Sequence, residues 1–355
     1  MKIRTTRIEK LTPAEVAAWS DIQLATPELS NPHFRPEFFQ ALAAVRHDVE
    51  VAVLEEGGKA VGFFPFRRTT WNAGRPAAGP LSDFHALIAP ADVECDPFEL
   101  IKACHLKSWR FDHLVCLHPS FEQCSWASAE SPYVDLSEGW EAYRRNEQTR
   151  GFAQGHDQKM RKLAREVGAV RYECHVPDSS ILAQMIRWKS EQYRRTKIDD
   201  VFAHNWTCEL ITRLLETESA HFAPVLSATF AGDHLVAVTF GIRSGPVLHP
   251  WFPAYDIEYS KYSPGMLHWI ETFKAAESMG ITRMDLVSGG DAYKRRMMNG
   301  CILVRQGAID PRTSMVAART AWRQTREFVR SSPMYAGIRG PVRVIKSVKG
   351  WLDLR

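Results

Sequence analysis

Residues 251–300 contain the polar side chains whose types and spacing are best suited to chemistry. A turn at 259–265 opens an apolar-periodic helix, a short strand follows around Asp285, and the sequence Ser-Gly-Gly-Asp-Ala-Tyr-Lys comes next. Backbone N–H groups at a helix start point towards an anion, and the helix dipole favours negative charge there. The pattern predicts a site for a phosphate-bearing cofactor.

Tyr293 and Lys294 are the candidates for proton transfer and anion binding. A tyrosine hydroxyl can act as a general acid, and a lysine ammonium can bind an anion. Gly289 and Gly290 precede them and permit close approach of the backbone to a ligand. The alternative is a flexible loop with a solvated Lys-Arg-Arg run.

The turn before the helix carries one cation, Lys261, and the small residues Ser263 and Gly265. Such a loop can cradle a pyrophosphate. The alternative is plain helix capping, which needs only Ser263 and a proline at the first helical position, Pro264.

Pro250 lies inside a predicted strand at 247–252. A proline removes one donor from the hydrogen-bond ladder, so the strand either lies at an edge or separates from its neighbour at that point. Separated strands leave a wedge in which an extended ligand can lie. A harmless edge-strand proline is the alternative.

These residues depend on a frame of strands and helices that the periodicity also predicts. Two hairpins have glycine turns, at 49–67 and 225–243, and their similarity hints at an internal duplication, although two unrelated hairpins are equally compatible with the sequence. Asp178 or Ser179 caps one predicted helix and Asn205 another. The remaining predictions are a charged helical segment at 141–168, a helix from Ser263 to about Met279, and strands at 281–287 and 302–309.

Composition restricts the class of protein. The chain has 355 residues, 45% hydrophobic and 24% charged, which is typical of about two globular domains. It has neither a run of about 18 apolar residues nor a secretory signal, so we expect a cytoplasmic protein. The seven cysteines are odd in number and irregularly spaced, which favours reduced thiols.

Other kinds of site are poorly supported. Cysteines and histidines cluster between Cys95 and Cys124, but without the paired spacing of zinc sites, and we expect no metal. The nucleophile-elbow, Walker and dinucleotide-binding motifs do not occur between a strand and a helix.

The last 45 residues, 311–355, are strongly basic, with ten Lys or Arg residues against two acidic ones. Apolar residues recur at helical spacing beside the arginines, and Trp322 and Trp351 are available as anchors. This predicts peripheral contact with an anionic surface, most simply the inner membrane. Packing of the apolar stripe on the rest of the protein is the alternative.

Residues 225–300 resemble the GNAT acyltransferase fold, and within it the CelD/BcsL-type acetyltransferase family. That family has segments of the form W-x-P-A-Y-D, Y-S-P-G and D-x-x-x-G-x-x-x-Y-K in this order. Here they stand at 251–256, 262–265 and 285–294.

The resemblance is strong over about 150–310 and looser over 30–140. In the looser region, Asn-Pro-His-Phe at 31–34 and Gly-Pro-Leu-Ser-Asp at 79–83 look similar to the family's first half.

The resemblance implies an α/β fold with a mixed sheet and two tandem GNAT-like lobes, an arrangement shared with the FemABX peptidyltransferases. The lobes would span 1–138, a degenerate N-terminal lobe, and 139–310, the acyltransferase lobe, followed by the basic helical tail at 311–355.

The implied co-substrate is acetyl-CoA or another acyl-CoA. It would lie in the wedge between the 247–252 and 281–287 strands, with its pyrophosphate on the 259–265 loop. The usual pyrophosphate signature, Q/R-x-x-G-x-G/A, is replaced here by Lys-Tyr-Ser-Pro-Gly. The residues implied to hold the donor are Trp251, Phe252, Lys261, Tyr262, Ser263, Gly265 and Lys294.

The implied reaction is direct transfer to a small-molecule amine. A backbone N–H near Trp251 or Phe252 polarises the thioester carbonyl. Tyr293 protonates the leaving thiolate, and His249 or Asp256 accepts the proton of the amine.

Three functions are compatible with these observations. The first is an acyl-CoA-dependent N-acyltransferase acting on a small metabolite or an envelope or polysaccharide precursor. The second is a FemABX-like transferase that uses aminoacyl-tRNA, in which the basic helices contact phosphates; nucleic acid is not expected otherwise. The third is a non-catalytic binding protein of the same fold.

Overall fold

A computed structural model describes residues 1–287 and 292–312, and the polar segment 288–291 and the tail from 313 onward lie outside the described residues. The fold is a mixed α/β arrangement around one large sheet, as predicted. The strands are β1 Lys2–Arg7, β2 Val49–Glu56, β3 Lys59–Arg68, β4 Ala73–Arg75, β5 Ser108–Val115, β6 Ser125–Asp135, β7 Val170–Glu173, β8 Phe222–Ala231, β9 His234–Ser244, β10 Val247–Tyr255, β11 Arg283–Asp285 and β12 Gly300–Ile309.

Helices connect most of these strands. They are α1 Pro13–Ala25, α2 Pro36–Val45, α3 Pro97–Ala103, α4 Gly139–Arg145, α5 Arg150–Ala153, α6 His156–Glu166, α7 Ser179–Thr196, α8 Asn205–Leu215, α9 Pro264–Ala275 and α10 Ala292–Met297. Within the described part of the chain, none is long and apolar enough to cross a bilayer.

The sheet is built from two halves with the same connectivity. The order of the strands is β1-β2-β3-β4-β5-β12-β6-β11-β10-β9-β8-β7. In each half, four strands pair antiparallel and the fourth then pairs parallel with the fifth, β4 with β5 and β10 with β11. The two predicted hairpins, β2–β3 and β8–β9, occupy equivalent positions, which is the arrangement that an internal duplication produces.

The sixth strand of each half is exchanged between the halves. β6 pairs with β11, β12 pairs with β5, and β6 and β12 pair with each other at the centre. The halves therefore share one continuous sheet. The proposed domain boundary at 138/139 falls just after β6 and before α4.

Side chains alternate between two helix-covered faces because successive residues of a strand point in opposite directions. In β3, Phe63 belongs to the core beneath α1, α2, α7 and α8, whereas Phe64 belongs to the core beneath α3. In the second half, Leu248 of β10 packs with Phe273 of α9 on that opposite face. This sandwich of helices and sheet fixes the positions of β10, β11 and α9.

Three local predictions need correction. The segment 141–168 is not one helix but the short helices α4, α5 and α6, broken where Gly155 adopts a left-handed φ of 76°. Asn205 does not cap α8; His204 precedes the helix, without a side-chain cap. Ser263 does precede α9, but its hydroxyl makes no capping bond. The cap of α7 at Asp178 and the seven free thiols are confirmed.

Candidate active site

The wedge predicted from Pro250 is present. β10 and β11 pair only through Val247 and Leu248, while β10 continues to Tyr255. On its other side, β10 has a bulge between Pro250 and Phe252 in its pairing with β9. The proline and the bulge therefore release β10 from its neighbour, and a cavity opens there.

Two adjoining cavities follow β10. The wedge cavity, of about 380 Å³, lies between residues 249–253 of β10 and Leu286 and Val287, which follow β11. The helix-start cavity, of about 390 Å³, lies along residues 253–255 and the first turn of α9. Both are lined by the same five residues, Lys189, Gln192, Pro253, Trp269 and Tyr293. The two cavities therefore adjoin at these five shared side chains.

The start of α9 forms one wall of the helix-start cavity. Ser263 has a left-handed φ of 58°, and its hydroxyl accepts a hydrogen bond of 2.9 Å from Lys159 Nζ of α6. Gly265 lies against the ring of Tyr255, where an added Cβ would come within 3.2 Å of Cδ1. Ser263 and Gly265 thus both line this cavity, as the interpretation of the loop as an anion cradle requires.

Lys261 and Tyr262, the other two loop residues predicted to hold the donor, lie behind this wall. Lys261 is largely exposed, 3.6 Å from the Glu166 carboxylate, and its ammonium lies over the ring of Tyr262. Tyr262 is buried, and its hydroxyl donates to the same carboxylate at 2.8 Å. Neither residue is among those that line the two cavities, and Tyr262 supports the loop from within the core.

His249 and Asp256, the two predicted proton acceptors, are separated. His249 lines the wedge cavity, and its Nε2 lies 3.1 Å from Oδ2 of Asp83. Asp256 instead accepts a hydrogen bond from the N–H of Glu258 and caps the short 3-10 helix at 257–262. The structure therefore brings His249, paired with Asp83, to the wedge, and places Asp256 outside it.

Asp83 is the accessible member of this pair. About a quarter of its side chain is exposed, whereas His249 is fully buried. Burial alone would raise the pKa of Asp83, but the hydrogen bond and charge of His249 outweigh it and hold the pKa below its usual value. The carboxylate therefore stays charged at the cavity wall.

His33 lies against the His249–Asp83 pair from the first half of the chain. Its ring contacts the rings of His249 and Trp251 edge-on, with centroid separations of 4.7 and 4.9 Å. Burial lowers the pKa of His33 to about 3, and the neighbouring His249 acts in the same direction. His33 is therefore neutral at physiological pH.

The aromatic residues predicted at the donor site line the wedge. Trp251 and Phe252 both face the wedge cavity, and Phe252 also packs against Phe202 at 4.9 Å between ring centroids. Tyr293 is partly exposed and borders both cavities, while Lys294 borders the wedge cavity, with its ammonium 3.5 Å from the Val287 carbonyl. Of the predicted residues, Tyr293 alone lies where the two cavities meet.

Four residues at the site are not predicted by the sequence. Asp83 and His33 lie in segments that stand out only through their family likeness. Lys159 belongs to a segment whose charge pattern is typical of a solvated helical face. Lys189 is buried on α7, where its ammonium donates to the Pro253 carbonyl at 3.1 Å. The sequence does carry a signal for Lys189 and Lys159, because each interrupts or flanks an apolar stripe of its helix. It carries none for His33 and Asp83, which reach His249 from the other half of the chain.

Comparison with known proteins agrees with this geometry. Residues 150–295 match the sequence family described as acetyltransferase (GNAT) domain, a range that contains β7 to β11 and α9. No curated protein sequence matches the chain.

Three solved structures share the fold at low identity. FemX is 9% identical, with a TM-score of 0.55 over 87% of this chain and 96% of that one. A conserved protein of unknown function from Bacteroides thetaiotaomicron is 10% identical, with a TM-score of 0.55 over 87% and 100%. The C-terminal domain of a putative lysylphosphatidylglycerol synthetase from Agrobacterium fabrum is 11% identical, with a TM-score of 0.52 over 86% and 95%.

The family match contains β10, β11, the start of α9 and Tyr293, and the shared folds extend over most of the chain. The protein therefore has a GNAT acyltransferase fold, and residues 150–295 are the part that matches the acetyltransferase (GNAT) domain family.

Proposed function

We propose that the protein is an acyl-CoA-dependent N-acyltransferase, most simply an acetyltransferase, that acts on an amine of a small metabolite or of an envelope or polysaccharide precursor. The observation that supports it most directly is the meeting of two cavities at Tyr293 beside the separated strand β10. One cavity suits an anionic, extended donor, and the other holds a carboxylate–imidazole pair for an amine.

The donor is assigned to the helix-start cavity. Its pyrophosphate lies at the first turn of α9, where the helix dipole and the Lys159 ammonium both favour negative charge. The pantetheine arm then follows residues 253–255 towards Tyr293 and the wedge. Lys189 and Gln192 lie where the thioester would arrive.

The acceptor is assigned to the wedge cavity, where its ammonium is attracted by the charged Asp83 carboxylate. The ammonium first loses one proton to water, and the neutral amine nitrogen then attacks the thioester carbon, so that the C–N bond forms and the C–S bond breaks. The amine proton passes to the His249–Asp83 pair, and the Tyr293 hydroxyl protonates the departing thiolate. A backbone N–H near the bulge at Trp251 polarises the carbonyl oxygen in the transition state.

Calorimetric titration of the full chain with acetyl-CoA tests the donor. We expect a saturable isotherm and a rise in melting temperature. The absence of both heat and thermal shift at millimolar acetyl-CoA would reject acyl-CoA as the donor. Native mass spectrometry of the freshly purified protein offers an independent readout, a retained CoA mass.

Aminoacyl-tRNA is the second candidate donor, favoured by a specific surface feature. Four arginines, 144, 145, 150 and 161, line a groove of about 420 Å³ formed by α4 to α6. Such a groove can contact nucleic-acid phosphates. Against this candidate, the segment 139–166 forms three short helices and no long helical arm. Salt-sensitive binding of tRNA, together with no response to acetyl-CoA, would favour this candidate.

For the tail at 311–355, we propose peripheral binding to an anionic membrane. Its net positive charge supports this, because each Lys or Arg near such a surface contributes about 1 kcal/mol. Co-sedimentation with anionic vesicles should recover the full chain at low salt and leave a 1–311 truncation in the supernatant. Equal recovery of both forms would contradict the proposal.

A further inference from the structure

Three potential metal ligands converge at the floor of the wedge cavity. One nitrogen of His33, one nitrogen of His249 and one carboxylate oxygen of Asp83 all lie within 4.8 Å of one another. Within residues 1–287 and 292–312, this is the one group of three or more such side chains with that spacing. His33 and Asp83 come from the first half of the chain and His249 from the second.

The hydrogen bonds around His33 determine which of its nitrogens carries the lone pair. Asn31 donates from its amide nitrogen to Asp285 at 2.7 Å, so the amide oxygen of Asn31 faces His33. That oxygen lies 3.1 Å from Nδ1 of His33, and an oxygen acceptor requires that Nδ1 carry the proton. The lone pair of His33 is therefore on Nε2.

This lone pair is buried without a donor. His33 Nε2 is inaccessible to solvent and has no hydrogen-bond partner within the described residues. A buried polar atom without a partner is costly and calls for an explanation, such as a bound ion. Such an atom on His33, in a group with a second imidazole and a carboxylate, points to a cation.

We propose that His33, Asp83 and His249 bind a divalent transition-metal ion of the zinc type at the floor of the wedge cavity. Two imidazoles and one carboxylate are a donor set that such ions prefer, whereas magnesium and calcium prefer oxygen alone. The ion would lie beside the wedge cavity, which His249 and Asp83 line. The ion thereby joins the two halves of the chain.

The donor-atom distances are compatible with this assignment once His33 moves closer. The separation of two donor atoms on one tetrahedral ion is about 3.3 Å for bonds of about 2.0 Å. His249 Nε2 and Asp83 Oδ2 are already 3.1 Å apart. Only His33 must approach, since its ligand nitrogen lies within 4.8 Å of the other two ligand atoms.

The surroundings of His33 also fit, because ligand histidines usually donate their second ring N–H to a fixed acceptor. Here the acceptor is Asn31, which is held by Asp285, and Asp285 in turn accepts from Arg283 at 2.7 Å. This chain of bonds holds the His33 ring in place and leaves its lone pair on Nε2.

The metal site is proposed from the positions of its three donor atoms and does not depend on the proposed function. If that function is correct, the two are linked, since a carboxylate and an imidazole that hold an ion cannot accept a proton. The ion-bound form is then expected to be inactive in acyl transfer.

Cobalt titration of the full chain, stripped beforehand with a chelator, tests the site in the absence of any acyl donor. We expect one saturable Co²⁺ site per chain with the intense visible absorption of four-coordinate cobalt. Zn²⁺ should displace the cobalt, because zinc binds such sites more tightly. No visible band, or a band that Zn²⁺ leaves unchanged, would overturn the proposal.

Variants separate this site from other histidines. His33→Gln and Asp83→Asn should each weaken Co²⁺ binding by at least about 100-fold, given that loss of an outer partner alone costs 10- to 100-fold. His118→Gln is the matched control, since His118 is also buried, contacts the Pro90 carbonyl and is not part of the cluster. It should keep the band.

Circular dichroism and melting curves confirm that each variant is folded. Should His33→Gln fail to fold, the partly exposed Asp83→Asn provides the decisive comparison. A binding isotherm that Asp83→Asn leaves unchanged would contradict the site. Because the cobalt titration uses no substrate, an absence of metal binding leaves the acyltransferase proposal intact. An absence of acetyl-CoA binding likewise leaves the metal-site proposal intact.

Discussion

The two halves of the sheet have the same connectivity, but they differ in the structure around the parallel strand pair. In the second half, β10 has nine residues and leaves β11 after two paired positions, which opens the wedge. In the first half, β4 has three residues and pairs with β5 at Ser108 and Trp109. There, Trp109 is fully buried, and an added Cβ at Gly74 would come within 2.7 Å of it. The space equivalent to the wedge is filled by a core.

The segments after the two parallel-pairing strands β10 and β4 also differ. β10 leads into α9, whose first turn lines a cavity. β4 leads into a long segment without an α-helix before α3, and this segment carries Asp83 across to His249 of the other half. The wedge of the second half is therefore open, and the closed half contributes side chains to it.

The largest expected effect is on stability and concerns the closed half. Trp109→Ala removes a fully buried indole from the core beneath α3, and should lower the free energy of unfolding by about 3–5 kcal/mol. Thermal or urea unfolding measures this. Acetyl-CoA affinity of the folded variant should be nearly unchanged; a loss of affinity with intact stability would mean that the first half binds the donor.

The next effect is on turnover in the open half. Tyr293→Phe should lower kcat by about 10²-fold with little change in acetyl-CoA affinity, because it removes a proton donor and keeps the ring. Steady-state kinetics and calorimetry measure the two quantities. Tyr259→Phe is the control, since Tyr259 precedes α9 without lining either cavity. Wild-type turnover in Tyr293→Phe would exclude the role.

A pair of glycine substitutions compares the halves directly. Gly265→Val should crowd the ring of Tyr255 and weaken acetyl-CoA binding by about tenfold, equivalent to about 1.4 kcal/mol, with a small loss of stability. Gly74→Val should instead lower the stability strongly and leave acetyl-CoA binding nearly unchanged, because its Cβ meets the buried Trp109 and Leu106. Calorimetry and melting curves on both variants check this. Parallel behaviour of the two variants would remove the functional distinction between the halves.

The smallest effect concerns the cation at the helix start. Lys159→Met should weaken acetyl-CoA binding by roughly threefold, since a partly exposed charge contributes about 0.2–1 kcal/mol. The weakening should disappear at high salt. Arg161→Met, on the same helix but away from α9, serves as the control and should bind normally. Identical losses in both variants would indicate a general charge effect.

Local features of the fold were predictable because local residues determine them. Glycine turns specify the two hairpins, Pro250 specifies the separation of β10, and Pro264 specifies the start of α9. The break at 141–168 was missed because charged residues keep helical periodicity even where Gly155 interrupts the helix.

The assembly of the site was less predictable. His249 and Tyr293 were identified from their own segment, but the partner of His249, Asp83, lies 166 positions earlier in the chain. Asn31 and Asp285 are 254 positions apart. Such contacts depend on which strands pair at the centre of the sheet, and no periodicity in one sequence encodes that pairing.

The exchange of β6 and β12 has a consequence for synthesis on the ribosome. β5 and β6 emerge early, but β12, the strand that fits between them, begins about 165 residues after β6 ends. At about 5–20 residues per second, the nascent chain holds a gap in its sheet for roughly 10–30 s. Both facing edges stay unpaired during that interval and are open to wrong partners. The first half is therefore expected to depend on chaperones until β12 has been synthesised, and to complete its sheet only together with the second half.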